Sequence, residues 1–134
     1  MGKYQVLEHK ADLKIRIFGK DKKELFENAL IGMFGAAKYQ GKGKEVKRQI
    51  KISSLDLPSL LIDFLSEALY LSETSWEVYH KVQFKEFKDN NLEAILTGKK
   101  LERMGIQIKG VTWHDLNLHQ KKDGTWEVSI LFDI

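Results

Sequence analysis

Cysteine is absent from all 134 residues, which excludes a disulfide framework, a thiolate zinc site and a cysteine nucleophile. Proline occurs once, at Pro58, so there is no proline-rich linker to divide the chain. No uncharged apolar run reaches the ~20 residues that span a bilayer. The opening MGKYQVLEHK lacks the apolar stretch of a signal peptide. The expected address is therefore the cytoplasm, with no membrane contact. Neither sign of charge dominates, because the net charge is only +3.

The motifs of common enzymes are also missing. Ser53 and Ser129 are the only serines outside predicted turns and helices, and neither sits in a G-x-S-x-G elbow. His9, His80, His114 and His119 are scattered, with no H-E-x-x-H pair. Nothing resembles a P-loop or a dinucleotide glycine fingerprint. These absences point away from chemistry of its own and towards a binding or accessory role.

What is present fits one domain over residues 1–134, since 43% hydrophobic content at this length suffices for one core. Asp21 followed by Glu24 reads as a helix N-terminus. Leu25, Phe26, Ala29, Leu30, Met33, Phe34 and Ala37 then form one apolar stripe on a helix of about four turns. A second helix begins near Asp56, with Pro58 in its first turn and a stripe from Leu57 to Leu69. Elsewhere the period is two: Leu13–Phe18, Val46–Ile52, Glu77–Phe87, Leu92–Gly98, Ile106–Trp113, Leu116–His119 and Trp126–Phe132. Asp89-Asn90-Asn91 and Lys122-Asp123-Gly124 supply hairpin turns, and Gly41-Lys42-Gly43-Lys44 reads as a loop. The class is α+β, two helices packed on a large, mostly antiparallel sheet.

Two regions stand out chemically. Between Lys38 and Lys51 lie Lys38, Lys42, Lys44, Lys47, Arg48 and Lys51 against the single acid Glu45. Such a patch steers towards RNA or an acidic partner, or simply protects a strand edge. The other region is carboxylate-rich. Asp12 closes the first strand junction, where its simplest use is hydrogen bonding to its own turn. Asp133 and the terminal carboxylate of Ile134 place two anionic groups at the last strand end. Three such groups in one place would need a hard cation such as calcium, magnesium or manganese. Spacing by itself does not bring residues 12 and 133 together.

From end to end the sequence resembles the archease family. The similarity rests on Tyr4-Gln5-Val6-Leu7-Glu8-His9-Lys10-Ala11-Asp12, Leu25-Phe26-Glu27-Asn28-Ala29 and Asp63-Phe64-Leu65-Ser66-Glu67-Ala68-Leu69-Tyr70-Leu71. It continues in Lys109-Gly110-Val111-Thr112-Trp113-His114 and the closing Asp133-Ile134. The resemblance implies an archease-like fold and a non-enzyme that assists an RtcB-type RNA ligase in tRNA splicing and RNA repair. Its role there would be to promote guanylylation and multiple turnover. It implies Asp12, Asp133 and the Ile134 carboxylate as metal ligands, with Ca2+ the usual occupant and Mg2+ or Mn2+ as alternatives. His9, Thr112 and His114 would surround that site, and Asp63 and Glu67, one helical turn apart, would face the ligase. Contact with tRNA would be weak or indirect. The alternative role is a chaperone or specificity-modulating module for an RNA-modifying enzyme such as a tRNA methyltransferase. The sequence departs from the family pattern at Leu13-Lys14, where Ile-Gly is usual. Lys14 thus places a cation either beside the implied ligands or on the opposite sheet face.

Overall fold

In the computed structural model, residues 2–9 and 11–134 are described, Glu8 and His9 by backbone alone. The order is β1 (Tyr4–His9), β2 (Asp12–Gly19), α1 (Lys22–Ala36), β3 (Gln40–Ser53), α2 (Leu57–Ser75), β4 (Glu77–Lys88), β5 (Asn91–Arg103), β6 (Gly110–Gln120) and β7 (Trp126–Asp133). The α+β class with antiparallel pairing is as expected, but the strands divide into two sheets, β1-β2-β7-β6 and β3-β5-β4. The run expected as a strand over 106–113 is strand only from Gly110, with 106–109 an irregular lead-in, and it joins the 116–119 run in the single strand β6, which has an irregularity between Thr112 and Asn117.

Both helices start where their caps dictate. The Asp21 side chain accepts from the Glu24 amide at 2.8 Å, and Glu24 reaches back to the Lys20 amide at 2.9 Å. Asp56 accepts from the Ser59 amide at 2.9 Å, with Pro58 in the first turn. Helix α2 ends at Trp76 in the left-handed conformation, its amide donating to the Ser72 carbonyl.

Helix α1 is buried on two sides, because it touches β2 of one sheet and β4 of the other. Towards the first, Gly32 lies against Tyr4 and Ile15, where a Cβ would come within 3.0 Å of the Tyr4 ring. Towards the second, Phe26 meets Phe87 edge-on at 4.9 Å between ring centroids and Phe64 of α2 at 5.5 Å. The inward rows of the four-stranded sheet are Leu13, Ile15 and Ile17 on β2 and Val128, Ile130 and Phe132 on β7, all buried.

Gly41–Lys44, expected as a loop, belongs to β3, which pairs with β5 through a bulge between Lys42 and Glu45. Gly43 absorbs it with φ +88°, a conformation that glycine adopts without steric cost. The basic run therefore lines an edge strand, where exposed lysines disfavour further strand pairing.

One charged cluster is built into this half of the molecule. Glu77 is fully buried, and its carboxylate accepts from Arg48 Nε and Nη2 at 2.8 and 2.7 Å and from the Tyr79 hydroxyl at 2.8 Å. The Arg48 hydrogen bond holds the Glu77 carboxyl below the usual carboxylate range, against the opposing effect of burial. An Arg48→Ala substitution leaves that buried carboxylate, among the described residues, with the Tyr79 hydroxyl as hydrogen-bond donor and Lys100 Nζ, 3.8 Å away, as its remaining cation. It should cost about 1–3 kcal/mol at neutral pH, less than a broken buried pair, because Arg48 is itself partly exposed and Lys100 remains. Because the folded pKa is depressed, the contribution is complete above the ordinary carboxylate range and is lost as pH falls through the folded value. Urea titrations of wild type and variant should show a stability gap that closes on acidification; a gap independent of pH would contradict this assignment.

Candidate metal centre at the end of the four-stranded sheet

The side chains of a strand alternate between its faces. With Leu13, Ile15 and Ile17 inward, Asp12, Lys14 and Arg16 occupy the outer face of β2. On β7, Phe132 and Ile130 inward leave Asp133, Leu131 and Ser129 outward. The β2–β7 register sets Asp12 directly opposite Asp133, 121 positions away in the chain. Such partners have Cβ atoms about 4.5–5.5 Å apart. Both side chains are exposed and, among the described residues, neither forms an ion pair with a cationic group.

The strand end that carries Asp133 is anchored. Its carbonyl accepts from the Lys109 amide at 2.7 Å, and the Ile134 side chain packs partly against the core. The segment leading into β6 is fixed in turn. The Ile106 amide donates to the Ala37 carbonyl at 3.0 Å, and the Ile108 amide to the Tyr39 hydroxyl at 3.1 Å. On the other side of Asp133 the row continues to Gly110, where an added Cβ would meet nothing within 4 Å. Asp12, Asp133 and Gly110 thus form one row, with an open flank over the glycine.

Thr112 is placed on the same face, one row along, opposite Leu131. His114 stands in the β6 irregularity. Its amide donates to Thr112 Oγ1 at 3.3 Å, and its exposed ring lies 3.3 Å from the Asp115 carboxylate. Asp115 there adopts a positive φ of 56°. The His9 side chain lies outside the described residues, although its backbone pairs with Leu13 beside Asp12. Asp63 and Glu67 occupy a different surface. They line an open groove between α2 and the end of β3 with Lys51, Ser53, Ser66 and Tyr70, and Asp63 accepts from Ser54 Oγ at 2.6 Å. That groove includes neither Asp12 nor Asp133.

As a donor set, two hard carboxylates facing each other, with no cationic partner among the described residues, suit a dication of the calcium or magnesium type. Among the described residues no three His, Asp or Glu side chains converge as a metal cluster. Closure of the site would need a group of another kind, such as a main-chain carboxylate. One feature escaped the sequence pattern. Gly110 gains its place only through the β6–β7 register. Of the two placements open to Lys14, the structure shows the one on the Asp12 face, as alternation within β2 requires.

Seven strands in two antiparallel sheets around two helices, with a pair of acidic residues at one sheet end, define an α+β domain of a recurring type. The archease protein family model matches residues 4–134, and the chain belongs to the archease family. It is 36% identical to protein archease of Methanosarcina acetivorans over 98% of this chain and 96% of that one. It is 30% identical to protein archease of Pyrococcus abyssi over the full length of both. Among solved structures, a Methanobacterium thermoautotrophicum protein superposes with a TM-score of 0.72 at 28% identity, covering 100% of both chains. A Thermotoga maritima archease, described as a possible chaperone, shares the fold with a TM-score of 0.71 at 20% identity, covering 97% of this chain and 96% of that one.

Like charges directly opposite across a strand pair are destabilising. In the presence of a chelator, Asp12→Asn should therefore raise the stability of the protein by about 0.2–1 kcal/mol. Chemical denaturation in excess EDTA measures this, and a loss of stability would show that the carboxylate already has a partner.

Proposed function

We propose that this protein is a metal-binding accessory factor that promotes guanylylation and multiple turnover of an RtcB-type RNA ligase, without catalysing a reaction itself. The observation that carries this is the Asp12–Asp133 pair, two carboxylates held face to face on hydrogen-bonded strands with no cationic partner among the described residues. Membership of the archease family supports it. Asp12, Asp133 and the α-carboxylate of Ile134 are the groups we assign to the cation. Ca2+ is the occupant that the family resemblance favours; Mg2+ and Mn2+ suit the same hard oxygen donors.

When bound, the cation would supply positive charge at an exposed sheet end. This chain's own residues fix where that charge sits. Thr112 brings a hydroxyl to the next row, and His114 and Trp113 project beside it from the β6 irregularity. Asp63 and Glu67 form a second acidic surface for the ligase. Contact with tRNA, where it occurs, is through the ligase or weak.

Turnover of a cognate RtcB-type ligase with GTP, manganese and RNA ends tests the assignment. Wild type should raise both the guanylylated fraction and the number of turnovers. Asp12→Ala and a single glycine appended after Ile134 should each abolish the gain while the fold, followed by circular dichroism, is retained. Folded variants that activate as well as wild type would exclude the carboxylate site. They would favour instead a chaperone or specificity-modulating module for an RNA-modifying enzyme such as a tRNA methyltransferase.

A further inference from the structure

The face that carries Asp12 and Asp133 continues along the sheet. The next row holds Lys14, Leu131 and Thr112, and the row beyond holds Arg16, Ser129 and Asn117. Successive outward residues of a strand are about 7 Å apart, so Lys14 is one such step from Asp12 and Arg16 two. Among the described residues neither Lys14 nor Arg16 takes part in an ion pair. The Arg16 Nε is buried and has no hydrogen-bond acceptor, a costly condition for a charged donor. The next row in this direction adds no free acid that the structure describes: Glu127 of β7 faces His119 at 3.5 Å and Lys121 at 3.9 Å. Glu8, whose backbone pairs with Lys14, has its side chain outside the described residues.

Among the described residues, the face thus runs from two carboxylates that lack a cationic partner to two cations that lack an anionic one. A ligand complementary to both must be cationic at one end and anionic along the rest. A phosphate chain carrying a divalent metal has this charge distribution, and magnesium is commonly held by one or two carboxylates together with ligand phosphates. Lysine serves phosphate as a point charge, while the arginine fork matches its oxygens in geometry. The two cations stand a full side-chain step apart, so a single phosphate at the metal would reach Lys14 and leave Arg16 unused.

We propose that the outer face of the β1-β2-β7-β6 sheet binds a polyphosphate chain as its divalent-metal complex, with Asp12 and Asp133 on the metal and Lys14 and Arg16 on the phosphates. This rests on the cation site proposed above and adds its ligand. Lys14 then has a definite consequence. It opposes the bare cation by like charge and favours the phosphate complex by opposite charge.

Calorimetric titration of the full chain separates the two assignments, using Mg2+ alone, tripolyphosphate alone, premixed Mg2+–tripolyphosphate, and Mg2+ with orthophosphate. The expected result is that the premixed complex binds, tripolyphosphate without metal does not, and orthophosphate adds little. Lys14→Ala and Arg16→Ala should each weaken the complex by about tenfold or more, as loss of a charge-assisted hydrogen bond does. Lys14→Ala should leave Mg2+ alone unchanged or tighter, and Arg16→Lys should restore part of the loss. Binding of Mg2+ alone, with no binding of the complex or no dependence on residues 14 and 16, overturns this inference and spares the cation site. Failure of both Mg2+ and the complex overturns both assignments. Metal-free tripolyphosphate binding of equal strength also overturns the metal-complex form.

Discussion

Eight consecutive pairs join β2 to β7, from Asp12 opposite Asp133 to Gly19 opposite Trp126, and most of the molecule's architecture is referred to that register. Side chains alternate with a period of two, so a slip of one residue would move Leu13, Ile15 and Ile17 out of the core and bring Lys14 and Arg16 into it. Burial of Leu13, Ile15, Ile17, Val128, Ile130 and Phe132 therefore fixes the alignment far more strongly than any polar contact at the strand ends. The same alignment sets the two aspartates opposite each other on the solvent side. The candidate site is stabilised by apolar packing on the reverse of the sheet, and its own like charges work mildly against it.

That arrangement explains why the centre can be exposed and still rigid. The outer face needs no packing of its own, because α1 holds the inner face through the close approach at Gly32. Fixing β6 beside β7 requires the 104–109 segment to be anchored, which the hydrogen bonds to Ala37 and Tyr39 accomplish. The three-stranded sheet uses a different device. There a buried carboxylate, Glu77, ties Arg48 of β3 to Tyr79 of β4 across the intervening β5. Glu77 is held inside with full hydrogen bonding, whereas Asp12 and Asp133 stand outside with no side-chain hydrogen bond or ion pair among the described residues.

Local chemistry made the helices legible. Asp21 and Asp56 as caps, Pro58 in a first turn and stripes of leucine and phenylalanine each act within a few residues, and each is found where the pattern placed it. The division into two sheets was not legible, since alternation says which residues face inward but not which strand lies beside which. Gly41–Lys44 misled because glycine marks bulges as well as loops, and only the partner strand decides between them. For the candidate site, carboxylate chemistry singled out Asp12 and Asp133 separately. Their meeting depends on pairing across nearly the whole chain, which family resemblance could imply and pattern could not. His114 shows the reverse limit, because an irregularity in β6 that no period announces carries its ring to Asp115.

Lys14 determines how such a site would behave. Where a glycine would leave the sheet end purely anionic, this chain places an ammonium group on the same face, one side-chain step from Asp12. At that separation the repulsion of a bound dication is weakened by solvent but not removed. An intrinsically weak site of this kind is filled efficiently only when something else completes the coordination and offers negative charge to the lysine. Linkage makes the effect reciprocal: whatever strengthens the cation is itself held more tightly by the same factor. Under the proposed function, a protein built in this way would engage where metal and anion are presented together and would release when either departs, as repeated action on a partner requires.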